Sequence, residues 1–306
     1  MISLPAGPHG GDAQRLAGLL GIAVDEILDL SVSLNPLAPD PTPVITRHLD
    51  AIGRYPDDHR ATASLAEVLG VDKARLLLTN GGAEAIALVA QLHPTGWADP
   101  YDFSLYRRHL GAIDPYGPRW MSDPNNPTGR LAATDERAFV RDEAFYPLAT
   151  GTWTRNDQAT IVVGSLTKVF ACPGLRIGYV IAPDDQSTER LRELQPRWSV
   201  NGLVAQALPE LLDRADLVAW TTGIAQLRNQ LDDLLSRYRL KSEPGSANYL
   251  WLPQAPGLRQ RLLEHRVLLR SGASFGHPDA VRIAVPAADG LARLETALSA
   301  TEHLDA

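Results

Sequence analysis

A single cysteine, Cys172, stands in 306 residues, so no disulfide framework can form within the chain. Stability must come from a packed core, and the lone thiol fits a reducing compartment and reads as a small buried residue. No run of about 18 apolar residues occurs, so nothing is expected to span a membrane. Residues 1–5 lack a basic segment followed by an apolar one, which speaks against a signal peptide and for a cytoplasmic protein. Basic side chains are in the minority, 29 Lys and Arg against 36 Asp and Glu. The net charge of −7 argues against a general binder of nucleic acid or anionic membranes, but leaves room for a local arginine cluster facing an anionic small molecule. Internal repeats and low-complexity tracts are absent, and no metal site is expected.

What remains is an ordinary globular composition, 44% hydrophobic and 21% charged, punctuated by 24 glycines and 23 prolines. Helical patterns are read at 12–20, 62–69, 83–92, 203–212, 223–239 and 291–299. Short apolar strands are read at 75–79, 161–164, 177–181, 248–252, 267–269 and 281–285. Residues 36–43 hold four prolines and are expected to be extended or turning. Alternating helices and short apolar strands predict an α/β protein.

The chemistry concentrates around Ser165-Leu166-Thr167-Lys168, which follows the apolar run Ile161-Val162-Val163. A lysine at a strand end can form a Schiff base once its pocket lowers its pKa. Ser165, Thr167 and Arg176, eight residues beyond the lysine, supply two hydroxyls and a planar fork for a phosphate. Gly81, Gly82 and Ala83 open a helix after an apolar strand, an arrangement that aims backbone N–H groups at an anion. Arg282 interrupts the apolar strand Val281-Arg282-Ile283-Ala284-Val285 and calls for a carboxylate partner. Arg270, just ahead of Ser271-Gly272-Ala273-Ser274, is a second anion-binding candidate.

Together with Asp123-Pro124-Asn125-Asn126-Pro127-Thr128-Gly129 and Asp142-Glu143-Ala144-Phe145, these segments resemble the class I/II aminotransferases. The resemblance implies pyridoxal 5'-phosphate as cofactor and the fold type I architecture: a large α/β/α domain with a mostly parallel central sheet, plus a small α+β C-terminal domain. It divides the chain into an N-terminal arm contributing to the small domain (1–40), a cofactor-binding domain (41–215) and a C-terminal domain (216–306). It assigns Lys168 as the Schiff-base lysine, Asp142 as partner of the ring nitrogen and Asn126 as donor to the phenolic oxygen. Phe103 is the candidate to stack on the ring, with Tyr101 as the alternative. Phe145 stands where many relatives carry tyrosine.

The first third narrows the choice. His9-Gly10-Gly11, Ile27-Leu28-Asp29-Leu30-Ser31, Asn35-Pro36-Leu37 and Trp198-Ser199-Val200-Asn201 resemble the threonine-phosphate decarboxylases of cobalamin biosynthesis. Arg54-Tyr55-Pro56-Asp57 is similar to a segment of histidinol-phosphate aminotransferases in which the tyrosine reaches the cofactor phosphate of the partner subunit. By that resemblance the protein is a homodimer with composite active sites, and His9, Asn35, Arg270 and Arg282 orient a phosphorylated amino acid. A transaminase of the histidinol-phosphate type is the alternative activity, and a non-catalytic relative that binds a ligand or partner is a third. Three departures stand out. The intervals from Phe103 to Asn126 and from Asn126 to Asp142 are shorter than is usual in the family. Phe139-Val140-Arg141-Asp142 reads as a poor buried strand, with a charge just before the aspartate. Ser33 stands where the relatives' Ser-x-Asn-x-Asn-Pro opening has its first asparagine.

Overall fold

The computed structural model describes residues 5, 7 and 9–302. Its strands are, in chain order, β1 Leu28–Leu30, β2 Leu76–Thr79, β3 Thr95–Ala98, β4 Ala112–Ile113, β5 Arg119–Ser122 and β6 Val140–Asp142. They continue with β7 Ile161–Ser165, β8 Gly178–Ile181, β9 Tyr249–Leu252, β10 Val267–Ser271 and β11 Val281–Ala284. Two sheets form. The larger has seven strands in the order β2-β8-β7-β6-β5-β3-β4. It is parallel throughout except for β8, which runs antiparallel to both neighbours, β2 and β7.

Every residue of β2 is buried, which marks a strand covered on both faces. The alternation of side chains divides its leucines between two cores. Leu76 and Leu78 join Val162, Ile177 and Tyr179 against the helices His59–Leu69 and Gly202–Asp213. Leu77 joins Val163 and Val180 on the other face, against Ile86 and Val89 of the helix Gly81–Leu92.

The smaller sheet has the order β1-β10-β11-β9. The early segment Leu28–Leu30 returns to pair in parallel with Val267–Leu269, while β9, β11 and β10 run antiparallel. Leu231, Leu234 and Leu235 of the helix Leu217–Arg237, with Leu294 and Leu298 of Ala288–Glu302, cover it. Among the described residues no helix is long and apolar enough to cross a membrane.

Two expectations about elements need correction. The long helix begins at Leu217 rather than 223, capped by Asp216, whose carboxylate accepts from Ala219 N at 2.9 Å. Gly223 marks a close approach inside it: a Cβ there would lie 2.4 Å from Leu37 Cδ1. The stretch before Asp142 is a fully buried strand despite its charge, because Arg141 is paired. Arg141 Nη1 donates to Asp123 at 3.1 Å, and Nη2 donates to Glu136 O at 2.9 Å. Arg155 Nη1 donates to the same Asp123 oxygen at 3.2 Å, while its Nη2 donates to Ala133 O at 2.7 Å and Thr134 O at 2.9 Å. Asp123 itself is 0% exposed and also accepts from Ala132 N at 2.9 Å. No helix lies between Asn126 and β6, and these bonds hold the loop that connects them.

Burying two guanidiniums is tolerated only while their carboxylate remains. The variant Asp123→Ala is expected to lower the unfolding free energy by about 3–5 kcal/mol, measured by urea denaturation. A loss under about 1 kcal/mol, the scale of an exposed pair, would show the cluster to be dispensable.

Candidate active site

The lysine loop is gripped at both ends. Ser165, the last residue of β7, is paired with Gly178, the first of β8, so the connection between them closes on itself. Inside it Thr167 Oγ1 donates to Ile177 O at 3.2 Å, and Cys172 N donates to Thr167 O at 3.2 Å. Burial pushes the Cys172 thiol up to about 11, in keeping with a packing role. Burial, with Arg282 and Arg176 nearby, brings the Lys168 ammonium down to about 8, while Asp142 opposes the shift. A lysine so placed is available as a neutral amine near physiological pH.

Arg176 lies across the start of the helix Gly81–Leu92. A Cβ on Gly81 would sit 2.6 Å from its Nη2, and the positive φ of 77° at that residue suits glycine alone. Ser165 faces the same helix start, with its Cβ 3.4 Å from where a Gly82 Cβ would be. Backbone donors, a hydroxyl and a fork thus converge, the donor set of a phosphate cradle.

Asp142 ends β6 with its carboxylate buried; Oδ2 accepts from Tyr106 O–H at 2.9 Å and Oδ1 from Ala144 N at 3.0 Å. Burial raises its pKa, countered by those two bonds and by Lys168. A cation such as a protonated pyridine nitrogen would settle that carboxylate in its charged form. Phe103 packs edge-on to Tyr106, ring centroids 5.7 Å apart, and His9 lies 5.6 Å from Phe103.

From the smaller sheet Arg282 Nη1 donates to Asn126 Oδ1 at 2.6 Å and Nη2 to Ser31 O at 3.3 Å. Its guanidinium carbon lies 4.6 Å from the Tyr249 ring centroid and 5.9 Å from that of Phe145. Arg282 Nε and Ser33 Oγ are buried with no hydrogen-bond partner among the described residues. Arg270 donates to Ser274 Oγ at 2.7 Å and stacks over Phe275. Burial and the charge of Arg282 bring Arg270 down to about 9; burial, then Arg270 and Arg108, lower His9.

These groups share one cavity of about 240 Å³. Of the residues picked from sequence, His9, Gly82, Ala83, Phe103, Asn126 and Asp142 line it. So do Ser165, Thr167, Lys168, Arg176, Arg270 and Arg282. Gly81 sits behind Arg176. Asn35 does not line the cavity, because its side-chain amide donates to Val169 O at 3.0 Å and its backbone N–H to Lys168 O at 3.0 Å. It clamps the lysine loop instead. Tyr55 is exposed, its ring 4.5 Å from that of Trp198, and Tyr101 lies outside the cavity against His277 at 4.8 Å. Asp57, Asp58 and His59 bring metal-ligand atoms within 4.8 Å of one another, also away from the cavity. Tyr106, Ser122 and Ser31 are lining residues to which sequence reasoning gave no role. The spacing of Tyr106 to Phe103, one helical turn, was the available signal.

Residues 121–300 match the family model described as aminotransferase class I and II. The chain is 32% identical to threonine-phosphate decarboxylase of Salmonella typhimurium, over 95% of each chain. The chain belongs to the aminotransferase class I and II family. Histidinol-phosphate aminotransferase 1 of Dechloromonas aromatica is 27% identical over 90% of each. Among solved structures, histidinol-phosphate aminotransferase of Sinorhizobium meliloti, in complex with pyridoxal-5'-phosphate, superposes with a TM-score of 0.84 at 16% identity, covering 99% of this chain and 96% of that one. L-threonine-O-3-phosphate decarboxylase of Porphyromonas gingivalis gives 0.76 at 21% identity, covering 90% and 100%. The fold is that of the type I pyridoxal-phosphate enzymes, and this family member is a pyridoxal-phosphate-dependent enzyme. The residues present fit the cofactor: a lysine, an acid for the ring nitrogen, an aromatic wall and a phosphate cradle meet in one cavity.

The chain has only three lysines, at 73, 168 and 241. After reductive ¹³C-methylation, one dimethyl-lysine signal is expected to titrate with a midpoint near 8 and to be missing from Lys168→Ala. Below that midpoint the neutral fraction falls about tenfold per pH unit, so cofactor capture should slow as pH drops.

Proposed function

We propose that the protein decarboxylates an α-amino acid carrying a second anionic group, with threonine O-3-phosphate the leading substrate. One observation carries this reading. The cavity wall holds five basic side chains, His9, Lys168, Arg176, Arg270 and Arg282, against a single carboxylate, Asp142. With Arg176 at the phosphate cradle and Lys168 at the cofactor carbonyl, three basic groups remain for substrate, more than one carboxylate needs. Burial first, and then the charge of a neighbouring arginine, lowers His9 and Arg270, and a dianion would relieve the second of these.

Arg282 is the group to bind the α-carboxylate, since its unpartnered Nε leaves part of the fork free. Arg270 and His9 then take the side-chain anion. Ser165, Thr167, Arg176 and the helix start at Gly81–Ala83 hold the cofactor phosphate; Asp142 keeps the ring nitrogen protonated, and Phe103 walls the ring. Bound there, pyridoxal phosphate supplies an electron sink for the bond broken at Cα. Lys168 would hold the cofactor, and its amine would be the group to carry a proton to or from Cα. By fixing the α-carboxylate, Arg282 would set which bond at Cα is presented for cleavage, and so whether carbon dioxide or a proton leaves.

The similarity to a threonine-phosphate decarboxylase at 32% identity supports decarboxylation. The similarity to histidinol-phosphate aminotransferase at 27% supports transamination as the second reading. We further infer a homodimer. Ile52, Tyr55 and Trp198 are 71%, 78% and 58% exposed, apolar surface of the kind a partner subunit covers.

Purified protein with pyridoxal phosphate is expected to show a visible absorption band that Lys168→Ala lacks, and to release carbon dioxide from threonine O-3-phosphate. A pyridoxamine-type spectrum without carbon dioxide would select the transaminase. In Arg270→Gln the KM should rise about 10–100-fold with a smaller change in kcat, the scale of one lost charge-assisted bond. An unchanged KM would remove Arg270 from substrate binding.

A further inference from the structure

Asp102 is a carboxylate 2% exposed, and no basic side chain pairs with it among the described residues. Every hydrogen bond that its side chain makes is one the carboxylate accepts. Oδ1 accepts from Ser122 Oγ at 2.5 Å and from Phe103 N at 2.6 Å, and Oδ2 accepts from Ser122 N at 3.0 Å. Ser122 Oγ, its own proton committed to Asp102, accepts from Asn126 N at 2.8 Å. Asn126 Oδ1 in turn accepts from Arg282 Nη1 at 2.6 Å. A chain of hydrogen bonds therefore runs from Asp102, in the connection after β3, through Ser122 at the end of β5 and Asn126, to Arg282 in the smaller sheet. A second arm, one bond long, ends at the backbone of Phe103.

We propose that Asp102 is a positioning residue for the reaction, holding the aromatic wall at Phe103 and the Asn126–Arg282 pair in one fixed relation across the cavity. The roles of Phe103, Asn126 and Arg282 toward cofactor and substrate rest on the functional reading above; the hydrogen-bond chain itself does not. A carboxylate suits this place because its two oxygens only accept, and three donors converge on them. Asparagine keeps the shape but turns a donor toward donors, so at least one bond must break. Burial raises the Asp102 carboxyl to about 6, the neighbouring charge of Asp142 adding to the rise, and the three accepted bonds hold it from going further. A buried unpaired carboxylate costs stability, and a cost borne beside the reacting groups marks a functional constraint.

The test uses Ser122→Ala, which cuts only the Asn126 arm, and Asp102→Asn, which disturbs both, because Asp102→Ala removes three bonds at once and endangers folding. Hydrogen exchange of the Asn126 and Phe103 amides is followed without cofactor, which keeps this readout independent of the functional reading. In Ser122→Ala the Asn126 amide is expected to exchange at least about tenfold faster while Phe103 stays protected; in Asp102→Asn both accelerate. With cofactor bound, the induced circular dichroism of the visible band should weaken in Asp102→Asn, and kcat/KM for threonine O-3-phosphate should fall about 10–100-fold in either variant. The double variant should be no worse than Asp102→Asn alone, as for groups in one network. Asn126 exchange at the parent rate in both variants, or fully additive losses in the double variant, would overturn the proposal. A parent without any visible band would instead sink the functional reading and leave the exchange result to decide the hydrogen-bond chain.

Discussion

Asp123 is the point at which this molecule holds its shape around the site. Two guanidiniums, the fully buried Arg141 and the partly buried Arg155, share one oxygen of its buried carboxylate. Its neighbours in the chain are the Asn125–Asn126 turn on one side and β5 on the other, and its backbone N–H donates to Asp142 O at 2.8 Å. The carboxylate that orders the trimmed loop is thus bonded through its backbone to the carboxylate that faces the cavity. Glu143 belongs to the same neighbourhood. It accepts from Arg155 N at 3.2 Å, and burial, with Asp123 close by, raises it to about 7. Three successive buried residues, Arg141 and Asp142 of β6 and Glu143 just beyond it, are thus a cation, the carboxylate that faces the cavity and a second acid, with Arg141 paired on the side away from the cavity.

Inside the cavity the matching is withheld. Burial comes first in lowering Lys168, Arg270 and His9, and like charge adds to it: Arg282 and Arg176 act on Lys168, Arg282 on Arg270 and Arg270 on His9, while Asp142 is the only acid lining the wall among the described residues. The two regions, which adjoin at Arg141 and Asp142, put buried charge to opposite uses: neutralised in the loop, left in excess in the cavity.

How much of this could be read in the sequence follows from how local each feature is. The lysine loop, the glycine turn and β2, β7 and β8 are local patterns of apolar runs, glycines and hydroxyls, and their placement agrees with expectation to within a residue or two. The strands β3, β4, β5 and β6 carry no such pattern. Thr95–Ala98 mixes a glycine with a tryptophan, and Val140–Asp142 presents two charges in three residues. What makes β6 a core strand is a partner 18 positions earlier, a pairing that no window along the chain displays. Asn35 was placed against substrate because of the motif around it, yet its amide is spent on the backbone of Lys168 and Val169. Asp102 drew no notice at all, since a lone aspartate between two aromatics reads as surface until Ser122 is folded over it.

The antiparallel run of β8 beside β7 gives the lysine loop a different character from the other connections of the sheet. Parallel neighbours are joined by excursions whose length can drift, as the shortened passage between Asn126 and Asp142 shows. Residues 166–177 instead bridge two strands locked side by side from Ser165↔Gly178 to Val162↔Ile181. Adding or deleting one residue there would turn Lys168, which sits in the short helix Leu166–Val169, by about 100° about the helix axis, or displace Arg176 from the helix start at Gly81. The hasp that carries the lysine is therefore held to its length by the two paired strands it joins.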